Sequence, residues 1–153
     1  MLKDLNVETE LVTEYVKDMI WEGRTKIFEC QPYIFGKQLY KLFRVAENVD
    51  VIITDRPILL DAIYDPEQDE DFRRYILKKF NQFDNINVFL ERVKPFNPNG
   101  RNENSLEEAR QYDGFIKSFM DNNGVKYYTA TGDLDGCEYI KNLILERIEI
   151  KNA

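Results

Sequence analysis

The sequence predicts an α/β fold, a mostly parallel sheet covered by helices on both faces. Three observations predict it. Short runs rich in β-branched and aromatic residues recur at Val49–Asp55 (VDVIITD), Ile86–Leu90 (INVFL) and Val125–Thr131 (VKYYTAT). Stretches of helical periodicity separate them, and strands that alternate with helices pair in parallel through right-handed crossovers. The 153 residues give room for one domain with a real core and not for two.

Each element has its own signal. Thr9–Tyr15 (TELVTEY) is a short β-rich run, and Val16–Glu22 reads as helix, with Trp21 expected to pack. Phe28–Ala46 reads as a longer helix with Ile34, Leu39, Leu42 and Phe43 near one face and Pro32 in its first turn. Val51, Ile52 and Ile53 are consecutive β-branched residues, which marks a strand buried on both faces, and Pro57 follows it. Ile58–Tyr64 reads as one or two helical turns. Asp69–Phe83 is an amphipathic helix opened by acids that suit its N-terminal dipole. Ile86–Leu90 is a second buried strand. Ser105 with Glu108 three residues later is a capping box, starting a helix that runs to about Asn122 and stops at Asn123-Gly124. Val125–Thr131 is the next strand, and Asp135–Ile148 the closing helix.

Composition narrows the function classes. Hydrophobic content is 43% and charged content 32%, a globular balance. The net charge of −7 disfavours general nucleic-acid binding, since phosphate backbones attract net positive faces. It leaves room for a local basic patch around a small anion. No apolar run reaches the roughly 18 residues of a membrane span, and no signal peptide is evident. Cys30 and Cys137 are far apart and suggest neither a metal site nor a disulfide framework. The absence of histidine removes His-based catalysis and most zinc chemistry. A cytoplasmic setting is the default expectation.

Several residues can carry chemistry. Asp55 ends the VDVIITD strand, and ligands of parallel sheets collect at strand carboxyl ends. It either holds Mg²⁺ directly or through water, or caps the turn at Pro57. Glu14 follows the first strand in the same way, either holding or deprotonating a substrate hydroxyl or standing as a solvated acid. Gln31 and Lys37 can point to an acceptor site, and Tyr33 can stack on a ring. The plainer reading makes all three the polar side of an amphipathic helix. Arg24 can face the same pocket or be surface charge. The sharpest set lies in the lid-like segment of about 92–104. Arg92 and Lys94 share a face of an extended strand end. Pro95, Pro98 and Gly100 form a hinge before Arg101, and Arg110 falls two turns into the next helix. Basic side chains there can neutralise the charge that phosphoryl transfer spreads over phosphate oxygens. A solvated loop and a nucleic-acid groove are the other readings. No G-x-x-x-x-G-K-[ST] stretch is present among the 153 residues.

Taken together, ELVTEYVKDMIWEGR (10–24), QPYIFGKQLYKL (31–42), VDVIITDRPILLDAIY (49–64), RVKPFNPNGRNENSLEEARQYD (92–113) and YYTATGD (127–133) resemble a known family. It is the phage- and bacterium-encoded P-loop ATPases related to the kinase domain of nicotinamide riboside kinases. The resemblance spans almost the whole chain and implies a three-layer P-loop fold of sheet order 2-3-1-4-5. The family's first strand and Walker-A loop have no counterpart here, and Met1–Asp4 would fall inside the helix after that loop. The expectation is therefore a single, N-terminally incomplete domain with its central first strand absent. Arg56 stands where the family more often has a small residue, and a cation there would crowd Mg²⁺ or replace some of its charge.

What the resemblance implies is a kinase that moves phosphate from ATP to a small nucleoside-like acceptor. Arg92, Lys94, Arg101 and Glu14 would be catalytic, Gln31, Tyr33 and Lys37 would bind substrate, and Asp55 would serve the metal. ATP and Mg²⁺ are expected only with the missing segment present. Without its N–H cradle, Lys and Ser/Thr, no turnover or tight ATP binding is expected. The alternatives are a non-catalytic binding protein, such as a phage regulator or counter-defence factor acting in the host cytoplasm, and a split enzyme whose P-loop comes from another polypeptide. Open sheet edges could then recruit a protein partner or a second copy.

Overall fold

The structure, a computed structural model, describes residues 1–93, 95 and 105–152, and of 150–152 the backbone alone. It is mixed α/β with short parallel strands. The described residues divide into two compact units, one holding 2–83 and the other 84–93, 95 and 105–152.

The first unit contains β1 (Thr9–Val12), α1 (Tyr15–Trp21), a 3₁₀ turn (Thr25–Glu29), α2 (Gln31–Phe43), β2 (Val51–Thr54), a second 3₁₀ turn (Ile58–Leu60), α3 (Asp61–Tyr64) and α4 (Glu70–Phe80). β1 and β2 run parallel, in register from Thr9 opposite Val51 to Val12 opposite Thr54. Side chains alternate along strands, so Val12 turns into the core while Leu11 and Ile53 share the other face. Val12 is buried; Leu11 and Ile53 are 60% and 41% exposed. This corrects the expectation of a strand buried on both faces: a two-stranded sheet here is packed on one.

The core of this unit gathers Val12, Val16, Ile34, Phe35, Ile58, Leu59 and Ile76. Phe35 of α2 meets Phe72 and Tyr75 of α4 edge-on, with ring centroids 5.6 and 5.9 Å apart. The helix expected over Phe28–Ala46 is broken at Cys30 into the 3₁₀ turn and α2, with Pro32 in the first turn of α2, where its missing N–H costs nothing. Asp69 caps α4, its Oδ1 accepting from the Asp71 and Phe72 amides at 2.8 and 2.9 Å. Trp21 and Phe43, expected to pack, are exposed instead. Both close short helices at positions off the buried stripe.

The second unit contains β3 (Val88–Glu91), α5 (Leu106–Asn122), β4 (Tyr128–Thr131) and α6 (Leu134–Asn152). β3 pairs in parallel with β4, from Val88 opposite Tyr128 to Glu91 opposite Thr131. Ser105 Oγ accepts the Glu108 amide at 3.1 Å, as the capping pattern predicts. Gly124, at φ 65°, ends α5 with the Val125 amide returning to the Met120 carbonyl at 2.9 Å. Ala109, Met120, Ala130 and Ile144 are its buried apolar residues, while Leu90 is exposed, against the expectation of a buried strand.

The four strands thus form two separate two-stranded ladders among the described residues, not one continuous sheet. VDVIITD and INVFL are not ladder neighbours. Each pair joins strands consecutive in the chain, β1 and β2 with α1, the 3₁₀ turn and α2 between them and β3 and β4 with α5 between them, since parallel strands need a crossover connection.

Candidate functional site

The carboxyl ends of β1 and β2 lie side by side, and a buried glutamine ties them together. Gln38 of α2 has no exposed surface. Its Oε1 accepts the Tyr15 amide at 3.1 Å, and its Nε2 donates to the Arg56 carbonyl at 3.4 Å. Thr54 Oγ1 closes the turn beneath, donating to the Arg56 carbonyl at 3.1 Å and accepting the Arg56 amide at 3.2 Å. The two residues just past the strands, Glu14 and Asp55, are placed by these bonds.

Next to them is a buried charged cluster. The Arg56 guanidinium turns inward, with its side chain 4% exposed, and Nη2 donates to Asp61 Oδ1 at 2.9 Å. Gln31 Nε2 donates to the same oxygen at 2.7 Å. Glu14 Oε1 lies 3.5 Å from Arg56 Nε, and Glu14 is only partly exposed. The Tyr64 ring sits 5.7 Å from the guanidinium carbon. Burial pushes the Asp61 carboxyl up to about 6, against the opposing pull of Arg56 and Gln31. Glu14 pushes in the same direction as burial.

The same unit has an open hollow of about 570 Å³ lined by Gly23, Arg24, Thr25, Lys26, Ile27, Cys30 and Tyr33. Tyr33 is exposed on its rim, and its hydroxyl is 3.1 Å from that of Tyr15. That shared bond lowers the Tyr33 phenol below its ordinary value and raises Tyr15 above it; Lys37 and Arg24 lower Tyr33 further. Lys37 Nζ stands 5.4 Å from the Tyr33 ring centre.

The structure therefore brings Glu14, Gln31, Tyr33 and Lys37 into one unit. Gln31 is buried rather than part of a solvated helix face, which corrects that plainer reading for it. Lys37 is exposed. Asp55 is exposed past the end of β2. Among the described residues no cluster of three metal-ligating side chains occurs. A single carboxylate is still what Mg²⁺ uses when phosphates and waters complete its shell. Arg56 lies buried against Asp61, so its guanidinium is committed within the cluster.

Arg92 belongs to the other unit. Its Nε and Nη2 both donate at 2.9 Å to the two carboxylate oxygens of Asp113 on α5. Lys94 and Arg101 lie outside the described residues, and Arg110 is exposed. Sequence reasoning passed over Asp61 and Asp113, and placed Gln38 with the polar side of its helix although it is buried. Asp61 had one usable signal, a lone acid inside the apolar run ILLDAIY (58–64). No protein-family model, curated protein or solved structure matches this chain.

Proposed function

We propose that this chain is the greater part of a P-loop kinase-like protein that, when complete, moves phosphate from ATP to a small nucleoside-like acceptor. The observation that carries the reading is the strand pairing. In the order 2-3-1-4-5 the absent first strand separates two parallel pairs, 2-3 and 4-5. The ladders of this chain are β1 with β2 and β3 with β4, which match those two pairs in chain order. The exposed Leu11–Ile53 face is further support, because in a three-layer fold it would be covered.

The first unit would be the acceptor half. Glu14 would hold or deprotonate the acceptor hydroxyl, with Gln31, Tyr33 and Lys37 around it. Asp55 would hold Mg²⁺ through water, the ion supplying charge neutralisation at the phosphates. Arg92, Lys94 and Arg101 would serve the transferring phosphate. The strand and the phosphate loop would come from a segment outside these 153 residues, either encoded with them or on another polypeptide.

The test is ATP-dependent phosphorylation of ribonucleosides by the chain alone and by the chain supplied with a strand carrying G-x-x-x-x-G-K-[ST]. The chain alone should bind ATP–Mg²⁺ weakly and turn nothing over, and the supplied form should be active. A micromolar Kd for the chain alone, about −8 kcal/mol, would reveal an anion site of a different kind. Inactivity of every supplied form would favour the second reading, a non-catalytic binding protein whose partner covers Leu11 and Ile53.

A further inference from the structure

The solvent side of α2 is aromatic where an amphipathic helix should be polar. Its buried side carries Gln31, Ile34, Phe35, Gln38 and Leu42. On the opposite side Tyr33, Tyr40 and Phe43 are 40%, 66% and 71% exposed. With the exposed Gly36 between them they follow the alternating three-and-four spacing of a helix-packing seam. Nothing among the described residues requires glycine at 36. Its backbone is helical, and nothing lies within 4 Å of a Cβ added there. A glycine in a helix interior gives up stability that alanine would keep.

The seam is complementary to itself. Laid antiparallel about a two-fold axis level with Gln38, two copies of α2 set Tyr33 against the partner's Phe43 and Gly36 against the partner's Tyr40. A ring then seats on the position that has no side chain, once from each copy, which is the large-on-small alternation of packed helices. A parallel pair would put glycine on glycine and ring on ring. Size supports the same occupant. At about 150–250 Å² for such a side chain, the three rings expose roughly 350 Å² per copy, nearly half of the ~800 Å² per partner in a standard interface. Charge is mixed at the rim. Lys41 is turned to its own Thr13 carbonyl at 3.0 Å, and Arg44 would reach the turn before the partner's α2, which carries Glu29. Lys37 would face the partner's Lys37 near the axis, a repulsion that salt screens.

We propose that the Tyr33–Gly36–Tyr40–Phe43 face of α2 is a homodimer interface, occupied by the same face of a second copy of this chain. The inference stands apart from the kinase reading, since it needs no ligand and no phosphate loop. It also bears on the hollow. Tyr33 lines it, so the partner's Phe43 would stand at that rim and each hollow would gain a side chain from the other copy.

Sedimentation equilibrium on the 153-residue chain tests it. The chain should dimerise reversibly with a Kd on the order of 10–100 µM, tightening as salt rises. Tyr40→Ala and Gly36→Gln, both at exposed positions, should each weaken the dimer at least about 10-fold. Gly36→Gln is the sharper variant. In dilute solution it should raise the melting temperature, because glutamine favours the helix, while it fills the place of the partner's ring. In a mixture of ¹³C-labelled and unlabelled chains, isotope-filtered NOEs should join Gly36 of one copy to the Tyr40 ring of the other. Those NOEs on the unaltered chain supply the result should a variant fail to fold. A chain still monomeric at about 1 mM, ten times the weakest expected Kd, would overturn the proposal and leave the face to a different partner. So would a dimer that both variants leave intact, since its interface would lie elsewhere. Tyr40 and Phe43 rings shielded from a soluble relaxation agent in the monomer would overturn it too, since the chain itself would then cover them.

Discussion

Gln38 accepts the backbone amide of Tyr15 at 3.1 Å although 23 residues separate them. The same side chain reaches the Arg56 carbonyl. One neutral residue of α2 therefore fixes the chain where it leaves β1 and where it leaves β2. Glu14 and Asp55 owe their placement to it.

Gln38→Ala should therefore destabilise the protein by about 2–4 kcal/mol, from an orphaned buried amide plus a cavity. Urea unfolding measures the loss, and hydrogen exchange at the Tyr15 amide should quicken. A loss below about 0.5 kcal/mol, typical of an ordinary surface position, would mean that the bond contributes little.

Asp61 predicts a pH dependence. Its folded pKa is about 6 against an ordinary value of 3.8. Between those values the folded state binds more protons than the unfolded state, so stability falls as pH rises through the window. The difference amounts to roughly 3 kcal/mol at about 1.36 kcal/mol per unit. Burial sets the upward shift; Arg56 and Gln31 oppose it by favouring the carboxylate, and Glu14 adds to it. Unfolding followed from pH 4 to 7 should show this slope, and Asp61→Asn should remove it. Identical slopes in the two proteins would place the titration elsewhere.

Periodicity and caps were legible in the sequence, and long-range pairing was not. Ser105 announced its helix because a cap is a local event, decided within three residues, and the acids from Asp69 announced theirs by suiting the helix dipole. The β-branched runs announced the strands for the same reason. They misled about burial, since a run such as VIIT has the same propensity whether one face or both are covered. Leu11 and Ile53 are exposed among the described residues, which no residue type encodes. Glu14 was singled out by its place at a strand end and Gln31 as a polar residue of the helix expected over 28–46. Asp61 was missed although Arg56 is five residues away, because nothing local marks it as buried, and Gln38 was placed with the polar side of its helix because its partner Tyr15 lies 23 residues away.

Arg92 and Asp113 form the second unit's clearest ion pair, with both bonds at 2.9 Å. The side chains are 32% and 24% exposed, so solvent screens much of the attraction. A double-mutant cycle of Arg92→Ala with Asp113→Ala should give a coupling of about 0.5–1 kcal/mol, the upper part of the surface range because the geometry is bidentate. The coupling should shrink in 1 M salt. Zero coupling at low salt would mean that the contact does not persist in solution, leaving Arg92 without this tether.

Two glycines should respond in opposite directions to the same substitution. A Cβ on Gly136 would lie 1.9 Å from the Thr131 carbonyl oxygen and 2.9 Å from its carbon, both backbone atoms. The turn is held tight from either side, since Asp133 Oδ1 accepts the Thr131 hydroxyl at 2.6 Å and the Gly136 amide at 3.0 Å. Those bonds hold the Asp133 carboxyl below its usual range. Gly136→Ala must therefore push β4 and the start of α6 apart, at a cost of about 2 kcal/mol or more. Gly114 sits inside α5 with nothing within 4 Å of its would-be Cβ. There alanine removes only backbone freedom from the unfolded chain, and Gly114→Ala should stabilise by about 0.5–1 kcal/mol. Paired melts of the two variants test the geometry directly. A Gly136→Ala protein as stable as the parent would show that the strand-to-helix turn is wider than described, since no rotamer change can relieve a clash with main chain.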